Sequence, residues 1–218
     1  MKYKAVLFDL DGTLLDTIRD LAESMNEVLR EMGLGPHSTE AYKYFVGDGM
    51  MRLVLRALPE SLRGDETFVQ AAVGRMRTIY DKRWRLNTRP YPGIPDLLDE
   101  LAGRGIRMAV LSNKPDSSTK EMVRELLSRW HFHAVLGERP GVPRKPDPAG
   151  ALEIVRTLSI PPEDFLYVGD TGVDMKTANR AGMFGVGALW GFRPERELRA
   201  DGAGAVIERP RDLLSLLT

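Results

Sequence analysis

The chain contains no cysteine, which removes disulfides, thiolate nucleophiles and cysteine-ligated zinc together. Neither sign of charge is in excess, because 31 Lys+Arg stand against 31 Asp+Glu. A polyanion such as nucleic acid, or an acidic membrane surface, therefore finds no net field to hold it, and neither is expected as a partner. Histidine is scarce, and His131 and His133 flank Phe132 without the acidic partners of a metal site, so they read as solvated or packed side chains. No apolar run is long enough to span a bilayer. The run after Met1-Lys2-Tyr3-Lys4 is too short for the apolar part of a secretory signal. A soluble cytoplasmic protein is the expectation.

What is present suffices for a folded core: 43% hydrophobic and 28% charged residues over a length of 218. Ala5-Val6-Leu7-Phe8 is a short continuous apolar run, the pattern of a strand buried on both faces. Beyond it, Ile18, Leu21, Ala22, Met25, Val28, Leu29 and Met32 recur at steps of three and four, which predicts an amphipathic helix ending near Gly33. Residues 41–58 and 66–86 also read as helices, with Pro59 and Gly64 between them. Residues 16–89 are thus expected to be all-helical. With twelve Lys/Arg and eleven Asp/Glu the segment is no basic arm and reads as a lid.

Pro90, Pro92, Gly93 and Pro95 interrupt this pattern, and strands and helices alternate afterwards. Strands are expected at 107–111, 134–136, 165–168 and 185–189. Helices are expected at 96–104, 117–129, 148–158 (with Asp147 as N-cap), 171–181 and 211–217, and Ala200 to Ala205 reads as a loop. This order predicts an α/β fold. A parallel-sheet, Rossmann-like three-layer core would comprise residues 1–15 and 90–218, with an inserted all-helical cap domain at 16–89.

Ligands of such sheets sit at the carboxyl ends of the strands. There the sequence places Asp9 and Asp11, Ser112 and Asn113, and Asp170 with Asp174, while Lys145 precedes a helix start. Acids at the ends of buried strands repel one another unless a cation lies between them. An all-oxygen donor set without cysteine selects Mg²⁺ over zinc.

Asp9-Leu10-Asp11-Gly12-Thr13, Ser112, Lys145-Pro146-Asp147-Pro148 and Gly169-Asp170-Thr171-Gly172-Val173-Asp174 resemble the four ordered motifs of the haloacid dehalogenase superfamily. The helical insert between the first two is similar to that superfamily's cap of the first type. Within the superfamily, four stretches resemble the phosphoglycolate phosphatase group: Tyr44-Phe45-Val46-Gly47-Asp48-Gly49, Tyr91-Pro92-Gly93-Ile94, Leu111-Ser112-Asn113-Lys114 and Tyr167-Val168-Gly169-Asp170-Thr171.

The resemblance implies a Mg²⁺-dependent phosphatase acting on a small phosphomonoester, with 2-phosphoglycolate the best single expectation. Asp9 would attack phosphorus to form an aspartyl-phosphate, and Asp11 would protonate the leaving alkoxide and later deprotonate water. Gly12 would allow the turn that offers N–H groups to phosphate, Ser112 and the Asn113 N–H would hold another oxygen, and Lys145 would offset negative charge. The metal set would be an Asp9 side-chain oxygen, the Asp11 carbonyl and Asp170, with Asp174 ligating through water or orienting Lys145. In the cap, Gly47, Asp48, Gly49 and Arg52 are candidate specificity residues. Two plainer readings stay open: Asp48 capping the next helix and Arg52 facing water. A monomer or homodimer is expected. Sugar-phosphate hydrolysis and phosphoglucomutase-like transfer are alternatives within the superfamily. Outside it stand a phosphoacceptor module, which would lack the insert, and an inactive scaffold, which would lack at least one of Asp9, Asp11, Lys145 and Asp170.

Overall fold

In a computed structural model, which describes residues 2–217, the chain forms two compact units. One consists of Met1–Leu15 with Pro90–Thr218 and the other of Asp16–Arg89. In chain order, β1 (Ala5–Phe8) and β2 (Leu15–Asp16) precede α1 (Ile18–Glu31), α2 (Thr39–Phe45), α3 (Met50–Ala57) and α4 (Glu66–Arg83). After β3 (Arg89–Pro90) come α5 (Ile94–Gly103), β4 (Arg107–Pro115), α6 (Asp116–Leu126) and β5 (Ala134–Glu138). The chain continues through α7 (Ala149–Leu158), β6 (Phe165–Gly169), α8 (Gly172–Ala181), β7 (Phe184–Ala188), α9 (Glu195–Ala200) and β8 (Ala205–Ile207).

The first unit is a six-stranded parallel sheet in the order β5-β4-β1-β6-β7-β8. β1 lies inside it, with Ala5 in register with Arg107 on one side and Phe165 on the other. Its four residues are fully buried, which is why it reads as an unbroken apolar run. On one face Leu7, Ala109, Phe165 and Tyr167 pack with Ala151, Ile154 and Ala178. These small and branched residues of α7 and α8 let the helices lie close to the sheet. Later strands join on both sides of β1, and the crevice at the carboxyl ends of β1, β4 and β6 is the topological switch point of this sheet.

Several boundaries differ from the expected ones. β4 runs on to Pro115 because it continues past a register shift against β5 between Leu111 and Pro115. α7 begins at Ala149 with Pro148 as its cap residue, and Asp147 acts one position earlier by accepting the Ala149 N–H at 2.9 Å. The stretch expected to be a loop ends in β8, whose three residues are too few to display a period. The last expected helix is 3₁₀ over Pro210–Leu217.

In the second unit, α1 presents Leu21, Met25, Val28 and Leu29 as its buried side, and α4 presents Val69, Ala72, Val73, Met76 and Tyr80. The expected helix over 41–58 is two helices. Gly47 and Gly49 adopt φ of 112° and 84°, values that favour glycine and interrupt the helical path. Asp20 is fully buried, and its carboxylate accepts from the Asn87 N–H (2.9 Å) and side-chain amide (2.7 Å). It also accepts from the Thr88 N–H (2.8 Å) and hydroxyl (2.9 Å). Four donors satisfy a charge that would otherwise be costly to bury. No helix among the described residues is long and apolar enough to cross a membrane.

Candidate active site

The site begins where β1 ends. The Asp9 N–H still bonds to the Val168 carbonyl at 2.9 Å, so the residue stays strapped to β6. The chain then turns tightly, the Leu10 carbonyl accepting from the N–H groups of Thr13, Leu14 and Leu15. Gly12 sits in this turn at φ 86°, and a Cβ there would collide with the Asp170 carboxylate and stand 2.7 Å from the Phe192 ring. Glycine is thus required twice, for conformation and for space.

Asp9 Oδ1 accepts the Leu10 N–H at 2.7 Å and lies 2.8 Å from Lys145 Nζ. The same ammonium donates to Asp174 Oδ1 at 2.7 Å and to the Leu111 carbonyl at 3.1 Å, so its three hydrogens have three acceptors. Burial opposes the charge on Lys145, but Asp174 and Asp9 outweigh it and hold the group well above the usual lysine range. The main chain of Lys145 is clamped by Asn113, whose side chain donates to the Lys145 carbonyl at 3.1 Å and accepts its N–H at 3.0 Å.

Asp174 stands in the first turn of α8. Its Oδ2 accepts the Thr171 N–H at 3.1 Å and the Thr171 hydroxyl at 2.6 Å, which ties the helix start to the site. Asp170, fully buried, accepts the Thr13 hydroxyl at 3.1 Å and the Phe192 N–H at 2.9 Å. Asp11 Oδ2 lies 3.2 Å from Lys114 Nζ. Asp11 Oδ1 is buried without a hydrogen-bond partner among the described residues. The Ser112 hydroxyl accepts the Lys114 N–H at 3.1 Å.

Asp9, Asp170 and Asp174 each offer an oxygen within 4.8 Å of the others. Burial first, and the Asp174 charge second, raise Asp9 to about 7. Burial, then Asp174 and Asp9, push Asp170 well above the carboxylate range. Four carboxyl groups, those of Asp9, Asp11, Asp170 and Asp174, gather around two lysine side chains, Lys114 and Lys145. A divalent cation would offset the charge these acids carry when ionised, and an all-oxygen donor set suits a hard one. The residues therefore fit a metal such as Mg²⁺.

Asp9, Asp11, Gly12, Ser112, Asn113, Lys145, Asp170 and Asp174 thus meet within the first unit. Gly47, Asp48, Gly49 and Arg52 belong to the second. There Asp48 pairs with Arg56 and not with Arg52, which is exposed. Asp48 does not cap α3, whose cap residue is Gly49.

Sequence reasoning assigned nothing to Lys114, Trp190, Gly191 or Phe192. The loop after β7 closes over the turn: Trp190 Nε1 donates to the Thr13 carbonyl at 3.0 Å, and Gly191 lies so close to Asp170 that no Cβ fits. Its only sequence signal is a glycine beyond a strand end. Lys114 was legible as a lysine directly after Ser112-Asn113.

The family model for haloacid dehalogenase-like hydrolases matches residues 6–188. A phosphoglycolate phosphatase of Pseudomonas putida is 33% identical over 97% of this chain and 78% of its own length. One from Aquifex aeolicus is 32% identical, over 98% of this chain and 96% of that protein. A crystal structure from Lactobacillus delbrueckii subsp. bulgaricus, named as a candidate phosphoglycolate phosphatase, superposes with a TM-score of 0.93 at 31% identity. It covers 100% of this chain and 99% of that one.

Proposed function

The chain belongs to the haloacid dehalogenase-like hydrolases, and from that premise we propose that it is a Mg²⁺-dependent phosphatase of a small phosphomonoester, with 2-phosphoglycolate as the first substrate to test. The observation that carries this reading is Asp9, held by Lys145 at a strand end beside Asp11, whose Oδ1 is buried and unpaired.

Asp9 attacks phosphorus with the oxygen not held by Leu10 and Lys145, the ester P–O bond breaks, and Asp11 delivers a proton to the departing alkoxide. Water, deprotonated by Asp11, then attacks the aspartyl-phosphate and frees Asp9 with inorganic phosphate. The Ser112 hydroxyl and the Asn113 N–H hold a non-bridging oxygen, and Lys145 lowers the charge on Asp9 as the dianion approaches. Mg²⁺, when bound, neutralises the phosphoryl oxygens and orients them for in-line attack. Its protein ligands in this reading are the Asp9 and Asp170 carboxylates and the Asp11 carbonyl. Asp174 has both oxygens engaged by Lys145 and Thr171, which favours its role in holding Lys145.

Residues 16–89 serve in this reading as a cap that selects substrate, through Gly47, Asp48, Gly49 and Arg52. The pairing of Asp48 with Arg56 supports that role, since it offsets a charge that would repel a substrate carboxylate. The names of the relatives support 2-phosphoglycolate. Balanced charge supports the absence of nucleic-acid or acidic-membrane partners, and a cytoplasmic monomer or homodimer completes the proposed reading.

The test is phosphate release from 2-phosphoglycolate, a hexose 6-phosphate and a neutral small phosphomonoester, with Mg²⁺ and with chelator. Release that requires Mg²⁺ and is fastest for 2-phosphoglycolate is expected. A higher kcat/KM for the hexose 6-phosphate overturns the substrate, and metal-independent release overturns the class. Arg52→Ala should cost most on 2-phosphoglycolate; equal losses on charged and neutral esters remove the carboxylate contact.

A further inference from the structure

The two oxygens of the Asp11 carboxylate are in different situations. Oδ2 is 3.2 Å from Lys114 Nζ, and Oδ1 is buried and unpaired among the described residues. An orphaned buried acceptor is unfavourable, so surrounding structure must hold Asp11 in this orientation. Lys145 does not do so, since its three hydrogens go to Asp9, Asp174 and the Leu111 carbonyl.

Lys114 is itself fixed from several sides. Its side chain is 7% exposed. Its N–H donates to Ser112 Oγ at 3.1 Å, and its carbonyl accepts the Thr119 hydroxyl at 3.2 Å. The residue lies within the register shift of β4 against β5, an irregularity of the kind that re-aims a side chain. Gly137 of β5 makes the shift sterically allowed, because a Cβ there would stand 2.6 Å from the Lys114 carbonyl oxygen and 2.5 Å from Asp116 Cα.

We propose that Lys114 is the positioning residue of Asp11, clamping Oδ2 and thereby presenting Oδ1 to the oxygen of the leaving group. The inference rests on the phosphatase reading, in which the proton passes from Oδ1 to that oxygen as the ester bond breaks, its electron pair staying on the carboxylate. Lys114 acts through Asp11 and not on the phosphoryl group.

The experiment compares Mg²⁺-loaded wild type, Lys114→Met and Lys114→Gln on two esters. One is 2-phosphoglycolate, whose alkoxide needs the proton; the other is 4-nitrophenyl phosphate, whose phenolate leaves without it. The readout is kcat/KM, which stops at the first irreversible step and so excludes the later hydrolysis of the aspartyl-phosphate. Lys114→Met is expected to lose at least about 30-fold more on the alkyl ester than on the aryl ester, a part of the about 100- to 10,000-fold that a positioned general acid contributes. Lys114→Gln, which keeps an N–H donor near Oδ2, should show the same bias at smaller amplitude, and it carries the test where the methionine variant does not fold. In an Asp11→Asn background the bias should vanish. Equal losses on both esters, or a bias that persists in that background, overturn the proposal. If wild type releases phosphate from neither ester, the phosphatase reading fails instead.

Discussion

The Lys145 ammonium and the Asp174 carboxylate meet at 2.7 Å, with side chains 3% and 0% exposed. Thr171 holds the other Asp174 oxygen, so the first turn of α8 is part of the support for Lys145. Removing Asp174 leaves Lys145 with Asp9 and the Leu111 carbonyl but strips away one buried charge partner, at a cost of up to about 3–5 kcal/mol. Asp174→Ala is therefore expected to destabilise the sheet-containing unit by about that amount, and more than Asp174→Asn, whose amide oxygen can still accept a hydrogen bond. Urea unfolding followed by tryptophan fluorescence checks this. A loss below about 1 kcal/mol would show the pair to be energetically idle.

Asp9→Asn is expected to lower phosphate release at least about 1,000-fold, about 4 kcal/mol in barrier, while the circular dichroism spectrum stays unchanged. The amide keeps the shape of the carboxylate but is a poor nucleophile. Activity within about tenfold of wild type would remove Asp9 from that role.

In the proposed reading, metal and protons compete for the same oxygens. Asp9 is raised from an ordinary 3.8 to about 7 by burial and by Asp174, and Asp170 moves in the same direction. For a raised carboxylate the stabilising contribution of the neutral form is present below the unfolded value and is lost as pH rises through the folded one. In chelator, Asp9 therefore costs an increasing amount of stability from about pH 4 to about pH 7 and stays costly above that, and Asp170 acts in the same direction. Mg²⁺ needs them ionised, so the gain in Tm on adding Mg²⁺ should be larger near pH 8 than near pH 5.5, with protons released on binding. Calorimetry in two buffers of different ionisation enthalpy measures that release. A Tm gain independent of pH would mean that these carboxylates are not the metal ligands.

Asp20→Ala removes the acceptor of four hydrogen bonds to Asn87 and Thr88. A destabilisation of residues 16–89 by about 3 kcal/mol or more is expected, since buried donors lose a charged partner. Hydrogen exchange should show faster exchange at Asn87 and Thr88. Unchanged protection there would contradict the assigned network.

Those parts of the fold that rest on periodicity were legible in the sequence. The apolar run of β1 and the three-and-four spacing of α1 lie where the pattern predicts, because each encodes its own burial. β8 and the division between α2 and α3 were not legible. The first is too short to carry a period, and the second depends on two glycine backbone conformations that no apolar pattern records. The catalytic candidates on strand ends were legible because acids interrupt buried strands. Trp190, Gly191 and Phe192 were not, because they act through a main-chain N–H, an indole and an absent Cβ, none of which marks a sequence as chemical. Lys114 lay in view, but its link to Asp11 depends on a register shift that only the paired strands reveal.

The Asp20 clasp reaches from the first turn of α1 to Asn87 and Thr88, and β2 and β3 pair with each other where the chain leaves and re-enters the sheet unit. With entry and exit tied together, the span between β1 and β4 is closed near its base, whatever the contour of the chain beyond. Closure entropy grows only with the logarithm of loop length, about 0.6 kcal/mol for each doubling, and here the knot of hydrogen bonds at residues 20, 87 and 88 has already closed the loop. Residues 16–89 are therefore free to lengthen, shorten or diverge without disturbing the register that sets Asp9 beside Lys145. On the proposed reading, selectivity and reactivity would then lie on separately inheritable stretches of one chain.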